Sequence, residues 1–222
     1  MATQRRPYHP PLISAYLPPD SPEPGYIMGA TGPQGFGCEA FYVAQIPCRE
    51  ARAIIIAHHY SHRVVNNSYL HLGVFREGAL EGVLQWGYAL CPARAGKVVE
   101  GTVQGQYMEL NRMWLSDDAP RNSESRAISY ALKYIKRACP SVAWVQSFTE
   151  FYELDGQTYH KMLLTAHLKA GQRGEHLRNN FHRATKHNLR QFRYVRFLKT
   201  DWQRRLRMPV LPYPKPETEC QK

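Results

Sequence analysis

Several things that small-site chemistry is often built from are scarce in this chain. Its five cysteines, Cys38, Cys48, Cys91, Cys139 and Cys220, are odd in number and contain no CxxC pair. That argues against a zinc-finger or deaminase-type site, whose ligands come in close pairs. A disulfide framework is also a poor fit, since 222 residues can build a core without staples. Reduced thiols and a cytoplasmic setting are the expectation. No apolar run approaches the ~20 residues that a membrane helix needs. The first residues hold no apolar signal core and are broken by prolines. No internal repeat is visible. Acids are scarce too: 18 Asp and Glu stand against 29 Lys and Arg, leaving a net charge of +11. Such an imbalance suits a polyanionic partner, nucleic acid before a membrane surface.

What is present divides the chain into three parts. Residues 1–37 carry about half of the 16 prolines and several glycines, and read as an extended arm draped on the surface. Residues 38–208 read as one catalytic-sized domain, and 209–222 as a proline-rich tail. Within the domain, Glu39 to Ile46 has strand character, and Cys48 to Tyr60 a helix with Ala51, Ile54 and Ile55 to bury. Tyr69–Phe75 and Ala79–Tyr88 read as a hairpin. Leu90 to Gly105 reads as a surface loop. The end of the domain contains a half-exposed strand, FRYVRFL at Phe192–Leu198, then a short basic helix near Trp202–Arg207.

The most informative stretch is Tyr107 to Phe148. Met108–Leu115 is a strand, Ser116–Pro120 is turn chemistry, and a helix opens near Asn122 or Ser123. Ile128, Ala131, Leu132, Ile135 and Ala138 repeat at helical spacing, and Pro140 stops the run. Val142–Phe148 is a second strand. This is a β-α-β unit. The free N–H groups at its helix N-terminus suit an anion, helped by Arg121, Ser123 and Ser125. Ser123 and Ser125 also suit a simple capping role. The predicted order gives a mixed sheet with a central antiparallel meander, an α/β fold.

Other constellations carry chemistry. Between Gly171 and Arg207 eleven Lys and Arg stand against two acids, a net +9, with Phe181, Phe192, Tyr194, Phe197 and Trp202 interleaved. Cations neutralise phosphates and aromatics stack on exposed bases, whereas a merely solvated face mixes signs. Arg183, Lys186, Arg190 and Arg193 are the candidate contacts. The run HHYSHR, His58 to Arg63, has His58 and His62 at i,i+4 spacing. Helix-end histidines bonded to carbonyls or water explain it better than a metal site, which would need further ligands. Arg112, inside a strand, has two readings: a structural partner for Glu109, Asp117 or Glu150, or a grip on a donor's phosphate or carbonyl. Glu150 lies just past the second strand of the β-α-β unit, where ligand-binding residues collect in α/β sheets.

The element order, with an anion-binding helix after the fourth predicted strand, is similar to the GNAT acyltransferase fold: a mixed, mostly antiparallel sheet with flanking helices. The segments ELNRMWLSDDAPRNSESRAISYALKYIKRACPSVAWVQSF, DGQTYH, FRYVRFL and LPYPKP, with HYS at His59–Ser61, resemble the Mom family of DNA-modification proteins. The likeness runs from Phe41 to Pro216. It implies an enzyme that converts adenine in double-stranded phage DNA to N6-carbamoylmethyladenine, shielding it from restriction in the host cytoplasm. Matching positions place His59, Tyr60 and Tyr159 in the catalytic set, with Glu150 standing where the family tends to have Asp. The resemblance favours a donor-side role for Arg112, and Ser125, inside the first helical turn, is the better serine to touch the donor. A Tyr hydroxyl could protonate a leaving group, and an imidazole could take a proton from an amine.

Two features bear on the donor. GNAT proteins carry a glycine-containing pyrophosphate loop, but Arg121–Arg126 reads RNSESR, with no glycine for close backbone approach. The carbamoylmethyl group is also an isomer of a glycyl group, so glycyl transfer followed by rearrangement needs no oxidation. Glycyl-tRNA is therefore favoured over acetyl-CoA, with tRNA a second nucleic-acid partner and no metal required. Two other functions fit the same features: an acyltransferase acting on a protein or small amine, and a non-catalytic nucleic-acid-binding domain on a GNAT-like scaffold.

Overall fold

The computed structural model describes residues 25–29, 32–88, 95–154, 157–160 and 190–207. Arg183 and Lys186, the C-terminal tail and the first 24 residues lie outside the described residues. Nine strands form one mixed sheet: β1 (Tyr26–Gly29), β2 (Gly32–Cys38), β3 (Phe41–Gln45), β4 (Ser68–Arg76), β5 (Ala79–Gly87), β6 (Tyr107–Leu115), β7 (Trp144–Leu154), β8 (Gln157–His160) and β9 (Arg190–Phe197). Every pairing is antiparallel except that of β6 with β7. Among the described residues three α-helices join them: α1 (Cys48–His58), the single turn α2 (Ala95–Val98) and α3 (Ser123–Ala138). The chain is thus mixed α/β, with a mostly antiparallel sheet, as its pattern predicts.

The predicted hairpin, both helices of the central region and the first strand of the β-α-β unit stand close to their expected bounds. Tyr26–Cys38 does not form a draped arm. It makes β1 and β2, which extend the sheet beyond β3, and Ile27 is fully buried. The glycines that argued against strand structure are there because the backbones are so close. A Cβ at Gly35 would collide with the Val43 carbonyl across the pair. The stretch 149–154, expected as a polar segment, continues β7, and the surface loop before β6 contains α2. The basic helix near Trp202 is a 3-10 helix, Thr200–Arg205.

Apolar residues fill both faces of the sheet. One face packs against α3, whose Ala127, Ala131, Tyr134, Ile135 and Ala138 are buried at spacings of one helical face. The small alanines let the helix lie close to the strands. Buried Tyr134 accepts a hydrogen bond from the Gln45 amide of β3. The other face packs against α1 through Ala51 and Ile55, with Tyr42, Phe75 and Val83 beneath. Burial pushes the Cys139 thiol up to about 12, so at neutral pH it is an inert core group.

One junction anchors the parallel pair. Trp144, fully buried, stacks on Tyr107 with ring centroids 5.2 Å apart, and its Nε1 donates to Thr102 Oγ1 at 3.1 Å. The same two residues form the first rung between β6 and β7. Trp144→Ala is expected to cost about 3–5 kcal/mol of stability, read from the midpoint shift in chemical denaturation.

Candidate functional site

β6 and β7 pair for three residues only, Tyr107↔Trp144, Met108↔Val145 and Glu109↔Gln146. Both strands then continue, but apart. Trp144–Gln146 pair with β9 as well as with β6, so β9 occupies the opposite edge of β7. Phe151 pairs with Arg190 of β9 and His160 of β8, which puts β8 on the same edge as β6. Between the two, Ser147–Glu150 have ladder partners on β9 and, among the described residues, none on the β6 edge. A gap therefore opens in the sheet. The backbones of Glu150 and of Tyr159–His160 border it on the β7 side.

On its other side, β6 bulges where the gap begins. Arg112 faces Gln85 and Leu110 faces Trp86, so Asn111 is the extra residue. Asn111 is buried, and its Nδ2 donates to the Ser68 hydroxyl at 3.0 Å, holding the bulge to the start of β4. Beside the bulge lies a cleft of about 470 Å³, lined by Glu109, Asn111 and Arg112 and by the segment Arg63–Asn67 that follows α1. The Arg112 Nε donates to the Arg63 carbonyl at 3.0 Å and its Nη1 to the Asn111 carbonyl at 2.7 Å. Neither bond goes to a carboxylate. Arg112 therefore acts as a brace between the loop and the strand, with a guanidinium in the cleft wall. Gly87 allows the loop to seat: a Cβ there would strike the Asn67 carbonyl, which accepts the Tyr88 N–H at 3.1 Å.

The histidine run sits where α1 ends. The helix stops at His58, so His58 and His62 do not share a helix face. His58 stacks on Trp114 of β6, centroids 4.5 Å apart, and His62 Nδ1 lies 2.8 Å from the Ile56 carbonyl. His59 is buried, and its Nδ1 accepts the Ser61 backbone N–H at 3.1 Å, with the Ser61 hydroxyl 2.8 Å away. An obligatory donor on Nδ1 leaves the proton of the neutral ring on Nε2. In this tautomer the ring is a hydrogen-bond donor on its far side. Tyr60 is exposed, and its ring tilts against His59 at 4.2 Å.

The helix N-terminus is a separate feature. Asn122 is its N-cap in the left-handed region (φ 71°), with no side-chain cap. Ser123 is buried, while Arg121 and Ser125 are exposed. This end packs toward the β2–β3 turn, where Arg126 lies 4.7 Å over the Phe41 ring and 3.3 Å from Cys38 Sγ. Arg112 and Leu115 are three residues apart on β6, which is about 10 Å along a strand. Arg112 thus lies within the strand beside the gap, while Arg121, Ser123 and Ser125 follow the end of β6.

Glu109, Asn111 and Gln146 escaped the sequence reading as site residues. Glu109 is half-buried, and its Oε2 accepts from Gln146 Nε2 at 2.6 Å. Burial pushes its carboxyl above the usual range, and the Gln146 amide, Arg193 and Arg112 pull the other way. The available signal was an acid set between bulky apolar residues, Tyr107 and Met108 before it and Leu110 after it. Of the nucleic-acid candidates, Arg190 opens β9, and exposed Arg193 lies 5.0 Å over the Phe148 ring. Arg196, Lys199, Arg204, Arg205 and Arg207 are also exposed, so a basic surface runs on from this edge.

A family model described as the Mom protein family matches residues 40–150 and 148–215. The chain is also 50% identical over 208 residues to the methylcarbamoylase Mom of Escherichia phage Mu, covering 82% of this chain and 86% of the relative.

The brace is open to test. Arg112→Lys removes the planar fork that spans two carbonyls. Amide hydrogen exchange across residues 63–67 is expected to quicken several-fold while the α3 core stays protected; unchanged exchange would show that the loop holds without Arg112.

Proposed function

The chain belongs to the Mom protein family, and we propose that it is a DNA-modifying group transferase that converts adenine in phage DNA to N6-carbamoylmethyladenine, protecting that DNA from host restriction. The similarity to a phage methylcarbamoylase supports the reaction class. The observation that carries the mechanism is the gap between β6 and β7, with the Arg112 guanidinium in the wall of the adjoining cleft.

In this reading the fold is used in the GNAT-like way. The acyl part of the donor lies in the gap, where strand edges without partners can bond an extended chain. Its phosphates reach toward Arg121, Ser123 and Ser125 at the uncapped end of α3. Glycyl-tRNA is the preferred donor and acetyl-CoA the second. The glycine-free approach to α3 and the isomer relation between glycyl and carbamoylmethyl both favour the first.

The acceptor amine is sluggish because its lone pair is delocalised into the purine. It is also stacked in the duplex, and extruding a base costs about a few kcal/mol. Arg190 and Arg193, with Arg183 and Lys186, would hold the backbone phosphates of the flipped strand. Arg112 would polarise the donor carbonyl. The Nε2–H of His59 and the hydroxyls of Tyr60 and Tyr159 would supply protons to the carbonyl and leaving oxygens, and Glu150 would orient the acceptor or a tyrosine hydroxyl.

The test is a nucleoside digest of DNA from cells expressing the chain, read by mass spectrometry. A deoxyadenosine heavier by one carbamoylmethyl group is expected, its yield reduced at least 10-fold by Tyr60→Phe. Unmodified adenine would overturn the reading. Purified protein with DNA should move label from radiolabelled glycyl-tRNA to adenine. Transfer from acetyl-CoA alone would reverse the order of donors.

A further inference from the structure

We infer that Glu109 accepts the proton from the amine that attacks the donor, a role that rests on the transferase reading above and assigns the base which that reading leaves open. Forming the new bond at the exocyclic nitrogen makes it cationic unless a proton leaves, so a base must stand within hydrogen-bond reach. His59 is poorly placed for this, because Nδ1 already takes the Ser61 N–H. Among the described residues that line the cleft, Glu109 is the one carboxylate; the rest are valines, amides and guanidiniums, which take no proton at neutral pH.

Its setting suits the task. Glu109 stands on the last rung before β6 and β7 part, so its side chain is held where the gap begins. Gln146, almost fully buried on the facing strand, donates to one carboxylate oxygen and fixes its direction. The charged groups around it are Arg112 on its own strand, Arg193 on β9 and Arg63 in the loop across the cleft. Burial favours the protonated acid while Arg193 and Arg112 favour the carboxylate. Burial is the larger effect, so the carboxyl's proton affinity lies above its ordinary value.

The step balances without an oxidant. The N6–C bond forms as the C–O bond of the acyl ester, or the C–S bond of a thioester, breaks. One N6 proton passes to Glu109, and the leaving oxygen or sulfur takes one from Tyr60. Amine and ester become amide and alcohol, or amide and thiol from a thioester. With a glycyl donor that amide is the isomer that rearranges to the carbamoylmethyl group, and solvent resets both side chains.

Single-turnover rates on a duplex, with glycyl-tRNA or acetyl-CoA as donor, test the role across pH. The raised carboxyl predicts a rate that climbs with pH above the ordinary carboxylate range and then levels, as Glu109 loses its proton. Glu109→Gln should lower the plateau about 100-fold or more and abolish the climb, with DNA affinity and melting temperature unchanged. Glu109→Asp should keep the climb. A Glu109→Gln variant within threefold of wild type, or one that keeps the climb, overturns the role alone. Wild-type protein that transfers nothing to DNA from either donor overturns the transferase reading and the role with it. Should Glu109→Gln fail to fold, Gln146→Met decides. Losing the amide that favours the carboxylate should move the climb to higher pH, and an unmoved profile would sink the proposal.

Discussion

Two parallel strands that stop pairing in mid-course leave polar backbone edges that something must satisfy. The rest of this structure is arranged around that constraint. On β7, the outer edge is taken by β9 along most of its length, and the far part of the inner edge by β8. On β6, the Asn111 bulge turns the strand, and Ser68 ties the bulge to β4. Below the point of separation, the Tyr107–Trp144 stack and the Thr102 hydroxyl hold the two strands together. The gap is thus the consequence of a pairing begun firmly and then abandoned, and the cleft lies beside it, between β6 and the loop that follows α1.

Electrostatics acts on the same place at two scales. Over the whole chain, a net charge of +11 draws a polyanion toward the β9 edge and the 3-10 helix beyond it. Within the cleft, Glu109 stands among Arg63, Arg112 and Arg193. Burial raises the proton affinity of this carboxyl, and the neighbouring guanidiniums partly offset it. Arg112 spends two of its donors on carbonyls of the loop and the bulge, so its charge also keeps the cleft in shape. Hydrogen bonding likewise sets the ring of His59, where the Ser61 N–H selects which nitrogen carries the proton.

Much of the fold was legible because it is local. The apolar spacing in α3, the apolar runs of β4 and β5, and the turn between them depend on residues close in the chain. Family membership was legible in ordered motifs, and it drew attention to Arg112 and to the two edges of the gap. What escaped is non-local. β1 and β2 were hidden because their glycines mark close approach to a neighbouring backbone, which from composition looks like a lack of structure. Glu109 was passed over in favour of Glu150 because its place depends on meeting Gln146, 37 positions away, across the parallel rung.

The sequence by itself determined the class of fold, the strand–helix–strand unit, the excess of positive charge and the family, since each is a property of spacing, composition or motif. Tertiary structure alone decided where β6 and β7 part, which nitrogen of His59 is engaged, what Arg112 braces and which carboxylate faces the cleft. The physical reason is that burial, strand register and hydrogen-bond direction arise only when distant segments meet. A residue's chemistry is written in the chain, but its proton affinity and its reach are properties of its neighbours.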